Sequence, residues 1–108
     1  DPRIMEAMAL IAAGYHRSEF YAETIARKMA VSRTTLNRLF QKKIGWSPGQ
    51  YLLEYRLQQS EKLLQMAMTV KQTALSSGFE DPFYYSRVFR KHSAMPPSDY
   101  RLQFAEIQ

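Results

Sequence analysis

Thr34, Asn37, Arg38 and Gln41 recur at three- and four-residue spacing, so on a helix they share one face. All four are hydrogen-bonding side chains, with no acid and no large apolar group among them. A row of this kind matches the donor and acceptor pattern along base-pair edges in a DNA major groove. The chemistry implied is recognition by hydrogen bonding rather than the making or breaking of bonds. Leu36, Leu39, Phe40 and Ile44 form a second, apolar stripe, so the segment has one face to bury and another to present. Ser32 stands just before it, where an oxygen can cap a helix N-terminus.

The pattern returns at an offset of 49 residues. Tyr85, Val88 and Phe89 take the places of Leu36, Leu39 and Phe40, while Phe83, Ser86, Arg87 and Arg90 take those of Thr34, Asn37, Arg38 and Gln41. Phe40, Gly45, Pro48 and Tyr51 continue onto Phe89, Ala94, Pro97 and Tyr100. Upstream the offset is 48, with Ala26, Met29 and Val31 matching Ala74, Ser77 and Phe79. The one-residue difference falls in the turn before each helix. The chain therefore holds two copies of one supersecondary unit.

The elements that must position these faces follow from spacing and caps. A first helix is expected over residues 3–13, with Ile4, Met8, Ile11, Ala12 and Tyr15 inward and Gly14 as its C-cap. A second spans 22–30, with Ala22, Ile25, Ala26 and Met29 inward, and turns through Val31 and Ser32 into the first reading helix. This is a helix-turn-helix plan. Gly45 suits a left-handed cap, and Ser47, Pro48 and Gln50 start a fourth helix that runs to about residue 66. Its expected core is Tyr51, Leu52, Tyr55, Leu63 and Leu64, and Glu54, Gln58, Glu61, Lys62 and Gln65 are expected on its wet side. Arg56 is read as structural, either buried against a carboxylate or turned to solvent. Thr69 and Gln72 cap a short fifth helix over 70–77, Gly78 marks a turn suited to positive φ, and Asp81-Pro82 starts the sixth. Pro97 opens a seventh that reaches about Glu106. The expected fold is all-α: seven helices in two helix-turn-helix subdomains, 1–47 and 68–108, joined by a long linker helix over 48–67.

Composition narrows the function. Within 108 residues there is no cysteine, which excludes disulfide scaffolds, thiol catalysis and cysteine-ligated zinc. No metal or other cofactor is expected. The two histidines, His16 and His92, fit neither a ligand nor a triad pattern and are read as surface residues, and no glycine-rich phosphate loop is present. No apolar run approaches the roughly 18 residues of a membrane span, so no membrane contact and a cytoplasmic location are expected. The net charge of +5 is unevenly spread. No acid lies between Thr24 and Leu53, where Arg27, Lys28, Arg33, Arg38, Lys42 and Lys43 stand, or between Pro82 and Ser98, where Arg87, Arg90 and Lys91 stand. Two basic windows in phase with a structural repeat favour a polyanionic partner over an ordinary solvated face.

The chain resembles the DNA-binding domain of the AraC/XylS family of bacterial transcription regulators. The most specific match is Ala74, Gly78-Phe79 and Phe89-Arg90-Lys91, followed by Pro97-x-x-Tyr100-Arg101; the first unit adds Ile25-Ala26, Ser32, Leu36-x-Arg38-x-Phe40, Gly45-x-Ser47-Pro48 and Tyr51. Thr73, where the family has an aliphatic residue, Ala94, where it has Gly, and Tyr21, where it has a polar cap, depart from it and imply a looser second unit. The residue inventory supports no enzymatic activity; the nucleophilic cysteines that a DNA-repair protein with this fold would need are absent. The resemblance implies that the chain is the C-terminal part of a longer regulator, lacking an N-terminal effector-binding and dimerisation domain. The opening helix is similar to regulators of carbohydrate use. Activation would add a contact with RNA polymerase.

The linker supplies a geometric argument of its own. About 19 residues of helix span roughly 28 Å, close to the ~34 Å between successive major grooves on one DNA face. One chain could thus set two helices into adjacent grooves of double-stranded DNA. Thr34 and Arg38 are expected to reach bases, with Arg33 and Asn37 as candidates. Phe83 and Arg87 are their counterparts in the second unit, with Tyr84 as a candidate. Lys42, Lys43, Arg90 and Lys91, late in their helices, are expected on phosphates. The alternatives are that Phe83 and Tyr84 pack inside the domain, and that Arg38 and Arg87 bind backbone or acidic side chains. A basic helical module that docks a protein, or binds DNA without sequence preference, is the competing function.

Overall fold

In a computed structural model, residues 1–105 are described, and they form seven α-helices without a strand. They are α1 (Pro2–Gly14), α2 (Ala22–Lys28), α3 (Arg33–Lys43), α4 (Pro48–Gln65), α5 (Val70–Ser76), α6 (Pro82–Ser93) and α7 (Pro97–Ala105). Glu106, the expected end of the last helix, lies outside the described residues. The capping residues read from the sequence act as caps. Ser32 Oγ accepts from the Thr35 N–H at 3.0 Å, Ser47 Oγ from Gln50 at 3.1 Å, Thr69 Oγ1 from Gln72 at 3.2 Å, and Asp81 Oδ1 from Phe83 at 2.9 Å. Each such bond satisfies an otherwise orphaned donor and contributes about 1 kcal/mol. At Tyr21, where a polar cap was missing, Thr24 answers from inside α2: its Oγ1 accepts the Tyr21 N–H at 3.0 Å.

The apolar faces close into two separate clusters. Ile4, Ala7, Ile11, Phe20, Ile25, Ala26, Leu36, Leu39, Phe40 and Leu52 form the first, and Leu57, Leu64, Ala74, Phe79, Tyr85 and Phe89 the second. Helix α4 serves both. Its N-terminal half buries Pro48 and Leu52 and its C-terminal half buries Leu57, Ser60 and Leu64. The buried stripe therefore moves around the helix along its length, and of the expected core residues only Leu52 and Leu64 are fully buried. Tyr51, Tyr55 and Leu63 are only half-buried, Leu57 and Ser60 are core, and the supposedly wet Glu54 and Glu61 are half-buried. In α1, likewise, Ala7 is buried and Ala12 exposed.

Arg56 joins the halves. It is only 9% exposed, and it donates from Nε to the Tyr15 carbonyl at 2.8 Å and from Nη2 to those of Arg17 and Phe20 at 2.8 and 2.9 Å. Its partners are thus the backbone of the turn between α1 and α2, not a carboxylate. Burial lowers its pKa from the ordinary arginine value, and the nearby Tyr21 and Tyr84 phenols oppose that shift. Gly78 presses on the same joint. A Cβ there would stand 2.2 Å from the Tyr15 carbonyl oxygen and 2.6 Å from Arg56 Nε, and its φ is +90°. Gly14 is not the expected C-cap, a place that Tyr15 takes. Gly14 is the last residue of α1, and a side chain on it would strike the Phe20 ring at 2.5 Å.

A second arginine closes the linker's far end. Arg101 on α7 donates from Nη2 to the Ala67 carbonyl at 2.8 Å and from Nε to that of Met68 at 2.9 Å. These are carbonyls just beyond α4, where the chain turns through Ala67 at φ 63°.

Candidate nucleic-acid interface

Helices α3 and α6 carry the sequence-predicted faces, and each is held by the stripe behind it. Leu36, Leu39 and Phe40 are buried under α3, and Tyr85 and Phe89 under α6. The opposite stripes stay in solvent. Arg33, Thr34, Asn37, Arg38, Gln41, Lys42 and Lys43 are all exposed on α3, and Phe83, Tyr84, Arg87, Arg90 and Lys91 on α6; Ser86 is half-buried. Phe83 is 78% exposed, the most exposed of the large apolar side chains described. A phenyl ring left in water at the first turn of a basic helix gains nothing for the fold, so the alternative in which it packs inside is ruled out. Neither helix contains an acidic residue, and the cations of the last turns also oppose the negative end of the helix dipole.

Three candidates have neighbours that direct them. Arg33 forms an exposed ion pair with Glu23 of α2, an interaction that contributes about 0–1 kcal/mol and is readily exchanged. The Arg87 guanidinium carbon lies 5.7 Å from the centre of the Tyr84 ring. That stacking holds it in a cleft of about 490 Å³ between the two halves, which Tyr21, Gly49, Arg56, Glu80 and Asp81 also line. Phe83 stands apart from that group. Tyr21, Gly49 and the cleft itself were not foreseen, because the sequence brings residues of α2, α4 and α6 together only through the fold.

His92 departs from its expected surface role. Nδ1 lies 2.9 Å from a Glu54 carboxylate oxygen and Nε2 contacts Glu61, so the ring bridges two acids on one side of α4. Carboxylates only accept, so both contacts are hydrogen bonds only when the ring carries both protons. The bridge ties the C-terminal half of α6 to the linker. His16 is exposed as expected.

Residues 25–103 match a family model described as a helix-turn-helix domain. A solved transcriptional regulator from Chromobacterium violaceum, of the AraC-type DNA-binding domain proteins, is 34% identical; the match covers 96% of this chain and 93% of that one with a TM-score of 0.84. The chain belongs to the AraC-type DNA-binding domains. The DNA-binding domain of AdpA, solved in complex with a target DNA, is 28% identical with a TM-score of 0.87 over 100% of this chain and 96% of its own. The lactose operon transcription activator of Staphylococcus xylosus is 30% identical over 103 residues, which is 94% of this chain and 37% of that protein. The chain spans about a third of the length of the curated relatives it matches. Family members are DNA-binding transcription regulators. Among the described residues of this AraC-type domain, no helix is long and apolar enough to cross a membrane.

Proposed function

We propose that this AraC-type domain binds double-stranded DNA sequence-specifically, with α3 and α6 in adjacent major grooves, as the DNA-reading part of a cytoplasmic bacterial transcription regulator. The observation that carries the reading is the pair of equivalent helices with exposed, acid-free faces, joined through α4 and the Arg56 contacts. Helix α4 has 18 residues, roughly 27 Å of axis, and the molecule is 46 Å long. Both suit two grooves ~34 Å apart, so one chain does what a dimer of single units otherwise does, on a site without two-fold symmetry.

In this reading Thr34 and Arg38 contact bases from α3, with Arg33 and Asn37 beside them, and Phe83 and Arg87 do so from α6, with Tyr84 beside them. Phe83 suits a thymine methyl and the arginines suit guanine. Lys42, Lys43, Arg90 and Lys91 hold phosphates and set the register. No catalytic role is assigned to any residue. The remainder of the regulator binds an effector and dimerises; the relative named for a lactose operon supports a carbohydrate-related effector. Activation proceeds through contact with RNA polymerase. The test is selection of bound duplexes from a random pool at fixed, near-physiological salt. Two short motifs about one helical turn apart are expected. A single motif would leave one helix as an anchor, and no enrichment would turn the reading towards an acidic protein partner.

A further inference from the structure

A second cleft, of about 280 Å³, opens between the first turn of α1 and the flank of α3. Asp1, Arg3, Thr35, Arg38, Lys42 and Lys43 line it, four cations against one carboxylate. Arg3 is half-exposed, with Nη2 at 3.1 Å from Asp1 Oδ2. Asp1 also caps α1, accepting the Arg3 N–H at 2.9 Å, so it fixes both the helix start and the guanidinium. Of the five guanidinium N–H groups, those not directed at Asp1 are available to a ligand. The Thr35 hydroxyl accepts from Ser32 Oγ at 2.9 Å, which leaves its own proton to donate. Lys42 lies one helical turn beyond Arg38 on the same flank of α3. The lining is thus a set of donors around a space with excess positive charge, the chemistry of an oxyanion seat.

The place of this cleft says which oxyanion it takes. A helix ~10–12 Å across fills a major groove ~12 Å wide. The phosphates that border the groove then meet whatever packs on the flank of the helix. We propose that Arg3, Thr35 and Lys42 seat one backbone phosphate of the DNA, with Arg38 as the wall between that seat and the groove. The proposal rests on the reading that α3 enters a major groove, and it adds α1, by way of Arg3, to the DNA-contacting elements. The Asp1 carboxylate opposes the phosphate and orients the guanidinium that holds it.

The test measures binding of the chain and of its Arg3→Gln, Thr35→Val and Asp1→Asn variants to a selected duplex and to a random one, across a range of salt concentrations. Loss of one phosphate contact lowers the slope of log K against log salt by about 0.9. Over a fourfold rise in salt, Arg3→Gln is therefore expected to lose roughly three- to fourfold less affinity than the parent chain. Its loss at low salt is expected to be equal on both duplexes. Thr35→Val, which removes a neutral donor, is expected to weaken both duplexes at an unchanged slope. Asp1→Asn retains a capping side chain and is expected to tighten both. An unchanged slope in Arg3→Gln, or a loss confined to the selected duplex, overturns the phosphate seat while the DNA-binding reading stands. Absence of salt-dependent binding by the parent chain overturns both. Circular dichroism checks that the helices persist, and if Arg3→Gln loses them, weakened or unchanged binding by Asp1→Asn overturns the seat.

Discussion

At the end of α3 the chain turns through Gly45 at φ 86°, and at the equivalent point after α6 it turns through Ala94 at φ 66°. Before the two reading helices the order reverses, with Ala30 at φ 57° and Gly78 at φ 90°. Both units therefore use the same left-handed positions, but glycine stands at a different one in each. A Cβ on Gly45 would meet nothing within 4 Å, so only φ favours glycine there. At Gly78 the Tyr15 carbonyl and Arg56 exclude any side chain. The second unit's glycine is fixed by its contact with the first unit as well as by its own turn, and its helix end carries the strain of a left-handed alanine.

The cores differ more than the turns do. Among the described residues the first unit has no fully buried serine or threonine, whereas Ser60 of α4 and Thr73 and Ser77 of the second unit are fully buried, and Thr73 Oγ1, Ser77 Oγ and Tyr85 Oη have no hydrogen-bond partner among the described residues. A buried hydroxyl without a partner costs about 1–3 kcal/mol. The largest test of the comparison is therefore truncation of the equivalent rings. Phe40→Ala and Phe89→Ala each remove a fully buried ring, at about 3–5 kcal/mol. Phe89→Ala is expected to melt the second unit alone in denaturant. Helical circular dichroism would fall in part while the single tryptophan, Trp46, which lines a small pocket with Tyr51 and Tyr55, keeps its native emission. Coincident loss of both signals would show one cooperative body and remove the distinction between the units.

Tyr85 takes the place of Leu36 and gives the second core a pH limit. Burial pushes its phenol up to about 12, and the neighbouring Ser60 hydroxyl pulls the other way. The folded state thus prefers the neutral phenol. Its contribution is complete below pH ~10, the unfolded value, and is lost as pH rises towards ~12, in all about 2–3 kcal/mol. Denaturant titrations at several alkaline pH values are expected to show a steeper decline for the parent than for Tyr85→Phe. Equal slopes would mean that the phenol titrates freely in the folded state.

The reading faces differ too. Position for position, Thr34 and Asn37 oppose Phe83 and Ser86, while Arg38 and Arg87 correspond. Lys43 is exposed, whereas its counterpart His92 is turned back onto Glu54 and Glu61. Arg87→Ala is expected to cost about 1–3 kcal/mol at one or two base positions and to relax the preference there in a selection. Lys43→Ala is expected to weaken all sequences alike and flatten the salt dependence by about one phosphate's share. Uniform losses from both would remove the division between reading and anchoring residues.

Much of this was legible in the sequence because the signals are local. Ser32, Ser47, Thr69 and Asp81 announce their helices through their own oxygens, and the apolar stripes of α3 and α6 lie within single turns. What the sequence hid depends on tertiary placement. The two-sided burial of α4 mixes two stripes, so Leu57 and Ser60 break the period that Leu52 and Tyr55 suggest. Glu54 and Glu61, seven residues apart, look like solvated acids until α6 brings His92 between them. The Arg56 contacts span 36 to 41 residues of sequence and end on backbone carbonyls, which carry no side-chain signature. The exposed stripe of Phe83 and Arg87 was visible, but the cleft that gathers Arg87 with Tyr21 and Asp81 was not.

The smallest effect isolates backbone conformation from every contact. Gly45→Ala places a Cβ in open space at positive φ, so its cost is strain and the altered entropy of the unfolded chain alone, about 1 kcal/mol. Ala94→Gly is the reverse change at the equivalent position, on an exposed residue, and is expected to stabilise the second unit by about the same amount. Both are read from the denaturant midpoint at constant slope. Opposite signs of similar size would show that the two helix ends obey one backbone rule, with the first unit's glycine already relaxed. If Ala94→Gly gives no gain, the stability of the second unit is limited by its buried hydroxyls and not by this turn. Replacing Thr73 by Val, of similar shape and without the unpartnered oxygen, would then be the change that raises it.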